Sequence, residues 1–208
     1  MKPQKIADGI YLIKVPFEDI YTSVFVIVEK GEAAVIDCAT TEKDVDDHII
    51  PAISELGIAR EKVKYLLLTH SHSDHAGGAE RFLQYFENAR LCAYEKLKNF
   101  ENEILTQDSV ILDRIGVVHL PGHTLTSVGY FDAKTKTLLT GDCLQLKGVS
   151  RFVFGVKYKD LYVESMKKLL ARDDIELLVT SHEYEPLGAF AKGREEIEKY
   201  LKACIEYA

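Results

Sequence analysis

Residues 69–78 of this chain read Thr69-His70-Ser71-His72-Ser73-Asp74-His75-Ala76-Gly77-Gly78. The segment brings three imidazoles and one carboxylate into six residues, directly after the apolar run at 63–68. Histidine nitrogens and carboxylate oxygens suit zinc and other first-row divalent ions. The apolar run predicts a strand, and a strand that ends in such a cluster holds the ligands on a rigid base. The segment therefore predicts a metal site.

Three further candidate ligands follow at long range along the chain, namely His123, Asp142 and His182. Each of them, like the first cluster, lies at or just past the end of a predicted strand. These strands are expected at 63–68, 115–120, 137–141 and 175–180. Strand ends that meet at one edge of a sheet form a cleft, and loops held by strands commonly carry functional groups. We expect all of these side chains to line one cleft.

Two halves of the chain share one order of elements, in which strands are followed by helices. Patterns of apolar residues predict these elements in the first half: strands at 10–15, 22–29 and 32–37, a helix at 42–56, a strand at 63–68, a helix at 78–87 and a strand at 90–93. The second half repeats the scheme: strands at 115–120, 127–132 and 137–141, a helix at 160–170, a strand at 175–180 and a helix at 190–205. Pro51 should kink or interrupt the first helix. This order predicts an α/β (α+β) fold with two sheets packed face to face and helices outside.

The composition of the whole chain is that of a globular protein. With 208 residues and 47% hydrophobic residues, the chain is expected to form a single domain over 1–208. A net charge of −7 argues against a nucleic-acid partner. The four cysteines are too sparse for a disulfide scaffold and are expected to be reduced thiols. Because neither a signal peptide nor an apolar run of membrane-spanning length is found, we expect a cytoplasmic protein without a membrane partner.

The order of these motifs resembles that of the metallo-β-lactamase-fold hydrolases. The resemblance lies in His70-x-His72-x-Asp74-His75 followed by the three later ligands, and it covers essentially the whole chain. It implies a four-layer αββα sandwich with a metal cleft at one edge. It also implies two metal ions, with ligands as follows: His70, His72 and His123 on one ion, Asp74, His75 and His182 on the other, and Asp142 as the bridge.

Within that superfamily the chain is most similar to the glyoxalase II branch, the hydroxyacylglutathione hydrolases. The similarity is carried by residues 148–155, 161–169 and 182–184. The chain departs from that branch at Val149-Ser150, where the branch usually has Cys-Gly. It also has only 26 residues after His182, too few for the branch's C-terminal helical domain. The identity of the thiol, glutathione or another, is therefore left open.

The expected chemistry is hydrolysis of a carbonyl compound. Two divalent ions about 3.5–4 Å apart can share a bridging water and lower its pKa from about 16 towards about 7. The resulting hydroxide is expected to attack the substrate carbonyl, with Asp74 orienting it and accepting its proton. Because a thiolate leaves with little help from a proton, a small thioester or ester is the predicted substrate. Zn²⁺ is the expected ion, with iron and manganese as alternatives.

Other activities are compatible with the same motifs. One is a lactonase, and another is a persulfide dioxygenase-like oxidoreductase, which would use one iron at the positions of His70, His123 and Asp142. A non-catalytic thiol- or metal-binding module is a further alternative. The complete set of ligands for a second ion favours the hydrolase.

A few residues outside the ligand set are candidates for supporting roles. Asp37 ends a predicted strand and is expected either to accept a hydrogen bond from a ligand imidazole or to form a turn. Arg151, Lys157 and Tyr184 are candidates for lining the substrate pocket.

Three residues near the motifs are expected to serve structure instead. Cys143 follows Asp142 directly, but a buried apolar thiol is the favoured interpretation. His48 falls on a predicted helix among acidic residues, and His119 falls within a predicted strand. Neither histidine is expected to bind metal.

Overall fold

Two β-sheets form the centre of the computed structural model, which describes residues 2–146 and 155–208. The first sheet has its strands in chain order: β1 Gln4–Ala7, β2 Ile10–Phe17, β3 Ile20–Glu29, β4 Glu32–Ile36, β5 Val63–Leu67, β6 Arg90–Ala93 and β7 Glu103–Ile104. The strands β1 to β4 pair antiparallel, and β4 to β7 pair parallel.

The second sheet also follows chain order: β8 Val110–Ile111, β9 Ile115–His119, β10 Val128–Asp132, β11 Thr137–Leu139, β12 Leu177–Tyr184 and β13 Gly188–Lys192. Only β11 and β12 pair parallel among these described strands, and the others pair antiparallel.

Helices cover the outer faces of both sheets. The first sheet is covered by α1 Glu42–Asp44, α2 Ile50–Glu55, α3 Ser73–Ala76 and α4 Ala79–Tyr85, and the second sheet by α5 Lys159–Leu170 and α6 Gly193–Tyr207. None of the helices in the described part of the chain combines the length and apolarity that a membrane crossing requires.

Three separate apolar cores lie between these layers. Strand β3 illustrates the division, because Val24 and Val26 pack towards the helices of the first sheet while Phe25 and Ile27 pack between the two sheets. A strand buried on both faces reads as a continuous apolar run, which is why 24–28 carries no polar residue. The third core lies between the second sheet and its two helices. The predicted four-layer αββα sandwich is therefore confirmed.

The predicted helix over 42–56 runs through Pro51 without stopping. A π-helical stretch, Val45–Ile49, joins α1 to α2, and the N–H of Ile50 donates to the carbonyl of Val45. Proline lacks the N–H that would continue α-helical bonding, and a wider helical turn just before it absorbs this loss. The α-helical hydrogen bonding is thus interrupted by a π-helical stretch, as Pro51 predicts, while the chain stays helical through the proline.

Near the C-terminus the structure corrects two predicted boundaries. The strand expected at 175–180 continues to Tyr184 as β12, so His182 lies within a strand rather than past its end. Residues 188–192 form β13, and α6 begins only at Gly193. The helix predicted from residue 190 was therefore wrong in its first turn. Residues 188–192, Gly-Ala-Phe-Ala-Lys, alternate between buried and exposed side chains, as the residues of an edge strand do.

Candidate metal centre

The predicted ligands gather into two groups at one edge of the sandwich. The first, here the three-histidine group, consists of His70, His72 and His123, and the second, here the mixed group, consists of Asp74, His75, Asp142 and His182. Within each group the candidate ligand atoms all lie within 4.8 Å of one another. Every member is buried except His72, which is half-buried.

Spacing within the mixed group matches tetrahedral coordination. The Nε2 of His75 lies 3.3 Å from Asp74 Oδ2 and 3.4 Å from Asp142 Oδ1. The Nε2 of His182 lies 3.4 Å and 3.3 Å from the same two oxygens. A tetrahedron with metal–ligand bonds of about 2.05 Å, typical of zinc with nitrogen and oxygen ligands, has edges of about 3.3–3.4 Å. The donor set therefore fits one small divalent ion.

Asp142 lies between the two groups. Its Oδ1 belongs to the mixed group, whereas its Oδ2 lies 3.6 Å from the Nε2 of His123. In the three-histidine group, His123 Nε2 is also 2.9 Å from His72 Nδ1. One carboxylate thus offers a separate oxygen to each group.

Several of these donor atoms are buried and lack a hydrogen-bond partner among the described residues. They are the Nε2 atoms of His70, His75 and His182 and the Oδ1 of Asp142. Buried polar atoms in folded proteins nearly always have a partner, and an ion is one common explanation when they do not. The two groups fit a dinuclear metal site on this ground as well as on spacing.

Backbone carbonyls orient two of the histidines. The Nδ1 of His182 lies 2.8 Å from the carbonyl oxygen of Tyr21, and the Nδ1 of His123 lies 3.1 Å from that of Gly155. A carbonyl can only accept, so each Nδ1 must carry the proton. The neutral ring then has its lone pair on Nε2, the atom that faces its group.

Asp37 orients one histidine of each group. Its carboxylate accepts from the Nδ1 of His75 at 2.7 Å, and from the backbone N–H and the hydroxyl of Thr69, both at 2.8 Å. Because the proton of the Thr69 hydroxyl goes to Asp37, its oxygen is left to accept from the Nδ1 of His70, 3.1 Å away. Asp37 therefore acts on His75 directly and on His70 through Thr69.

Charge is distributed differently in the two groups. Burial lowers the pKa of each residue in the three-histidine group, and neighbouring imidazoles add to this effect. Burial alone would also lower the pKa of His75 and His182, but the Asp142 carboxylate beside them outweighs it and raises the pKa of His182 to about 9. The mixed group therefore attracts positive charge, while the three-histidine group favours neutral imidazoles that are ready to bind a metal.

Comparison with known proteins agrees with this geometry. A model of the Metallo-beta-lactamase superfamily matches residues 18–112. The chain carries a metallo-β-lactamase superfamily domain. Over its length the fold is also that of the DIM-1 metallo-beta-lactamase, with a TM-score of 0.77 at 17% identity over 100% of this chain and 98% of that chain.

Curated relatives of this metallo-β-lactamase domain carry the name hydroxyacylglutathione hydrolase. The protein from Buchnera aphidicola subsp. Acyrthosiphon pisum (strain APS) is 30% identical over 158 residues, or 74% of this chain. Hydroxyacylglutathione hydrolase 1 from Vibrio vulnificus (strain YJ016) is 31% identical over 167 residues, or 77% of this chain. The chain spans only 58% and 62% of the lengths of these two relatives.

Two glycines let the loop that carries His70 to His75 pack on the segment that follows β4. A Cβ on Gly77 would lie 2.0 Å from the carbonyl oxygen of Thr40, and one on Gly78 would lie 2.3 Å from that of Cys38. In the same contact, the N–H of Cys38 donates to the carbonyl of His75 at 2.8 Å. The glycines after His75 thus allow the approach that brings Asp37 to the ligands.

The predicted substrate residues have different positions in the metallo-β-lactamase domain. Lys157 is exposed, and its backbone N–H donates to the carbonyl of Gly122, next to His123. Tyr184, in contrast, is fully buried in the core between the second sheet and its helices, so the expectation that it lines a pocket is corrected. The reason is that β12 continues to Tyr184 and turns its ring inward. Arg151 lies outside the described residues.

The residues expected to be structural belong to neither group. Cys143 is buried in the same core as Tyr184. The ring of His119 stacks on Tyr94 at a centroid distance of 4.4 Å, and its Nε2 is 2.8 Å from the carbonyl of Leu125. His48 is on the π-helical stretch, and neither histidine belongs to a candidate ligand group among the described residues.

Sequence reasoning missed three supports of the site. Thr69 directly precedes His70, and its position there was the only available signal. The carbonyls of Tyr21 and Gly155 had no signal at all, because every residue type has a carbonyl.

Proposed function

We propose that this chain is a metal-dependent hydrolase of a small thioester, and that it holds two divalent ions, Zn²⁺ foremost. The observation that carries the proposal is the position of Asp142, whose two oxygens face different ligand groups. In this proposal His70, His72 and His123 hold one ion and Asp74, His75 and His182 hold the other, with Asp142 shared. The names of the curated relatives support a thioester as the substrate.

Water is the proposed nucleophile, because no cysteine of the chain is suited to the task. All four cysteines are buried. Burial raises the pKa of the Cys38 and Cys143 thiols, the two that follow Asp37 and Asp142 in sequence, so neither is a thiolate at neutral pH. When bound, a pair of divalent ions would polarise the substrate carbonyl as Lewis acids. They would also lower the pKa of water, so that hydroxide is available as the nucleophile at neutral pH.

Asp74 is the proposed proton acceptor. Its carboxylate is nearly buried, with 8% of the residue exposed. Burial would favour the neutral acid, but the imidazoles of His182 and His75 beside it hold the pKa of Asp74 well below its ordinary value. The group is therefore charged at neutral pH and able to orient an attacking water and take its proton.

A thioester suits this site better than an amide. Thiols have a pKa of about 8.5, so a thiolate can leave near neutral pH without first being protonated. An amine leaving group would need a proton as it departs, and in the resting site Asp74 and Asp142 carry none, because their pKa values are lowered.

Recognition of the substrate is assigned to two basic residues, Lys157 and Arg151. Lys157 is exposed, and its segment is tied by two backbone hydrogen bonds to Gly122, the residue before His123. We propose that Lys157, together with Arg151, binds an anionic part of the substrate. Glutathione, the thiol in the names of the relatives, carries carboxylates that could be bound in this way.

The experiment that tests the proposal combines metal analysis with a substrate panel. Purified protein should contain near two equivalents of zinc per chain and should release thiol from hydroxyacyl thioesters, of glutathione and of simpler thiols. Lactones and oxygen esters in the same panel define the range of substrates. One equivalent of iron with oxygen uptake on a persulfide would instead identify a sulfur dioxygenase and overturn the hydrolase.

A matched pair of histidine variants tests the ligand assignment. His182→Gln should lose metal and turnover, whereas His119→Gln should retain both, because His119 lies outside both groups. Equal behaviour of the two variants would contradict the assignment.

A further inference from the structure

Tyr162 is a fully buried tyrosine on α5 that belongs to neither ligand group. Its hydroxyl donates to the carbonyl of Gln145 at 2.9 Å and accepts from the N–H of the same residue at 2.8 Å. Both backbone groups of Gln145 are thereby bound to a single side chain. Such a pair of bonds fixes the position and the rotation of the backbone at Gln145.

Gln145 in turn closes the loop that carries Asp142. The side-chain Nε2 of Gln145 donates to the backbone carbonyl of Asp142 at 3.0 Å. The loop reaches Asp142 through a short 3-10 turn, Gly141–Cys143, in which the N–H of Cys143 donates to the carbonyl of Thr140 at 3.1 Å. Tyr162 therefore acts on Asp142 through Gln145.

The same tyrosine also contacts the loop that carries His123. A Cβ on Gly122 would lie 2.6 Å from the Cβ of Tyr162, so only glycine allows this approach. The carbonyl of Gly122 accepts from the N–H groups of Lys157 and Tyr158 at 3.0 and 2.8 Å, just before α5 begins. The segment just before α5 is thus bound directly to the residue before His123.

Taken together, these contacts connect two ligands that come from different strands. Asp142 follows β11 and His123 follows β9, yet Asp142 Oδ2 and His123 Nε2 must face one another at 3.6 Å. We propose that Tyr162 is a positioning residue that sets the placement of the Asp142 loop relative to the His123 loop, and so the affinity of the site for its metal ions. The inference rests on the proposed dinuclear site.

The hydroxyl is the part of Tyr162 that distinguishes positioning from packing. Phenylalanine would fill the same space and keep the contact with Gly122, but it would remove the hydroxyl that binds the N–H and the carbonyl of Gln145. A buried backbone group without its hydrogen-bond partner costs free energy, so the local structure is expected to rearrange. Tyr162→Phe should therefore move Asp142 without removing any ligand.

Metal binding by the Tyr162→Phe variant tests the inference. Metal-free protein is titrated with Co²⁺ in competition with a chelator, and the visible spectrum of the Co²⁺-loaded protein is recorded. Tyr162→Phe should weaken Co²⁺ binding by roughly ten- to a hundredfold, the range typical for residues that support metal ligands, and should alter the spectrum. Wild-type affinity and an unchanged spectrum would overturn the inference.

Tyr200→Phe is the matched control. Tyr200 is also a buried tyrosine of the same core, and its hydroxyl donates at 3.0 Å to the carbonyl of Gly188, which belongs to neither the Asp142 loop nor the His123 loop. This variant loses a buried hydroxyl of similar kind and should leave Co²⁺ affinity and spectrum unchanged. Equal weakening in both variants would mean that Tyr162 only stabilises the core, and would overturn the inference.

A second variant keeps the test decisive if Tyr162→Phe does not fold. Gln145→Ala removes the bond to Asp142 while its backbone stays available to Tyr162, and it should also weaken Co²⁺ binding. Unchanged binding in Gln145→Ala would overturn the inference by itself. Failure of the wild-type protein to bind two ions would overturn the proposed function, whereas two ions bound equally well by wild type and Tyr162→Phe would overturn only the role of Tyr162.

Discussion

The Nδ1 of His75 lies 2.7 Å from the Oδ2 of Asp37, and both side chains are fully buried. Asp37 has a φ of 61°, in the left-handed region, where aspartate is more readily tolerated than most residues. The carboxylate is therefore held in place by the backbone at the end of β4 and by its bonds to Thr69. The mixed group depends on it for the orientation of His75.

Asp37→Asn should weaken metal binding at the mixed group. The carboxylate accepts the Thr69 N–H on Oδ1 and both the Thr69 hydroxyl and His75 on Oδ2, so an amide, with one oxygen, cannot accept all three bonds. We expect a loss of roughly ten- to a hundredfold in affinity for one of two zinc ions, measured as zinc retained per chain after dialysis against a zinc buffer. Two tightly held ions in this variant would contradict the orienting role of Asp37.

Thr69→Val should act on the other group. Valine keeps the shape of threonine but removes the oxygen that accepts from His70, while the bond between Asp37 and His75 stays. A two-step zinc titration should show one weakened step and one close to wild type. If both steps shift equally, the separate route from Asp37 to His70 does not exist.

Asp142→Ala should lose metal and turnover together. The variant removes the carboxylate that faces both groups. In the mixed group, Asp74 is then the one carboxylate that remains beside His75 and His182. Elemental analysis should give fewer than two ions per chain, with thioester hydrolysis near background. Retention of two ions and of turnover would argue against a bridging carboxylate.

Gly77→Ala should destabilise the fold. The new Cβ would lie 2.0 Å from the carbonyl oxygen of Thr40 and 2.5 Å from that of Ser73, so the backbone must move. Overpacking of this kind typically costs about 1–3 kcal/mol, measurable by urea unfolding. Gly116→Ala is the control, because its Cβ would meet only the Phe131 carbonyl oxygen at 3.9 Å. Similar unfolding midpoints for both variants would count against the close packing at Gly77.

Asp132→Asn should reduce stability at neutral pH but not in acid. Asp132 is buried and binds Arg114 through both oxygens. Burial would raise its pKa, but the bonds from Arg114 and Thr135 hold the pKa of Asp132 below its ordinary value. Breaking a buried pair of this kind costs about 3–5 kcal/mol.

The sign of the pH effect follows from that lowered pKa. The folded protein binds the Asp132 proton less readily than the unfolded chain, so the stabilisation is complete above about pH 4, the ordinary value for aspartate, and is lost as the pH falls through the folded pKa. The stability difference between wild type and Asp132→Asn should therefore shrink below about pH 4 in urea unfolding. Asp113→Asn, at an exposed ion pair with Lys30, should show little difference at either pH. A constant difference for Asp132→Asn would contradict the assignment.

Much of the layer order could be predicted from sequence, because periodic apolar residues record which faces are buried. The strands around residues 24–28 and 63–67 and the αββα order follow from such patterns. The two ligand groups are brought together in the structure because their loops leave β5, β9 and β11 at one edge.

Other features depend on three-dimensional contacts that no local pattern records. The inward turn of Tyr184 and the edge strand at 188–192 follow from pairing between β12 and β13. The contact between Gly122 and Tyr162 joins segments 40 residues apart along the chain. A glycine can be noted in a sequence, but the partner that requires it cannot.

The carbonyls of Tyr21 and Gly155 have a consequence for how this site would be dissected. Replacing one side chain by another leaves a carbonyl in place, so a conventional alanine scan would assign no importance to the bonds that aim His182 and His123. Their contribution would emerge only from changes to the main chain itself, such as an ester in place of a peptide bond, whose carbonyl is a weaker acceptor. The residue types at these two positions can therefore change while the two imidazoles keep their orientation.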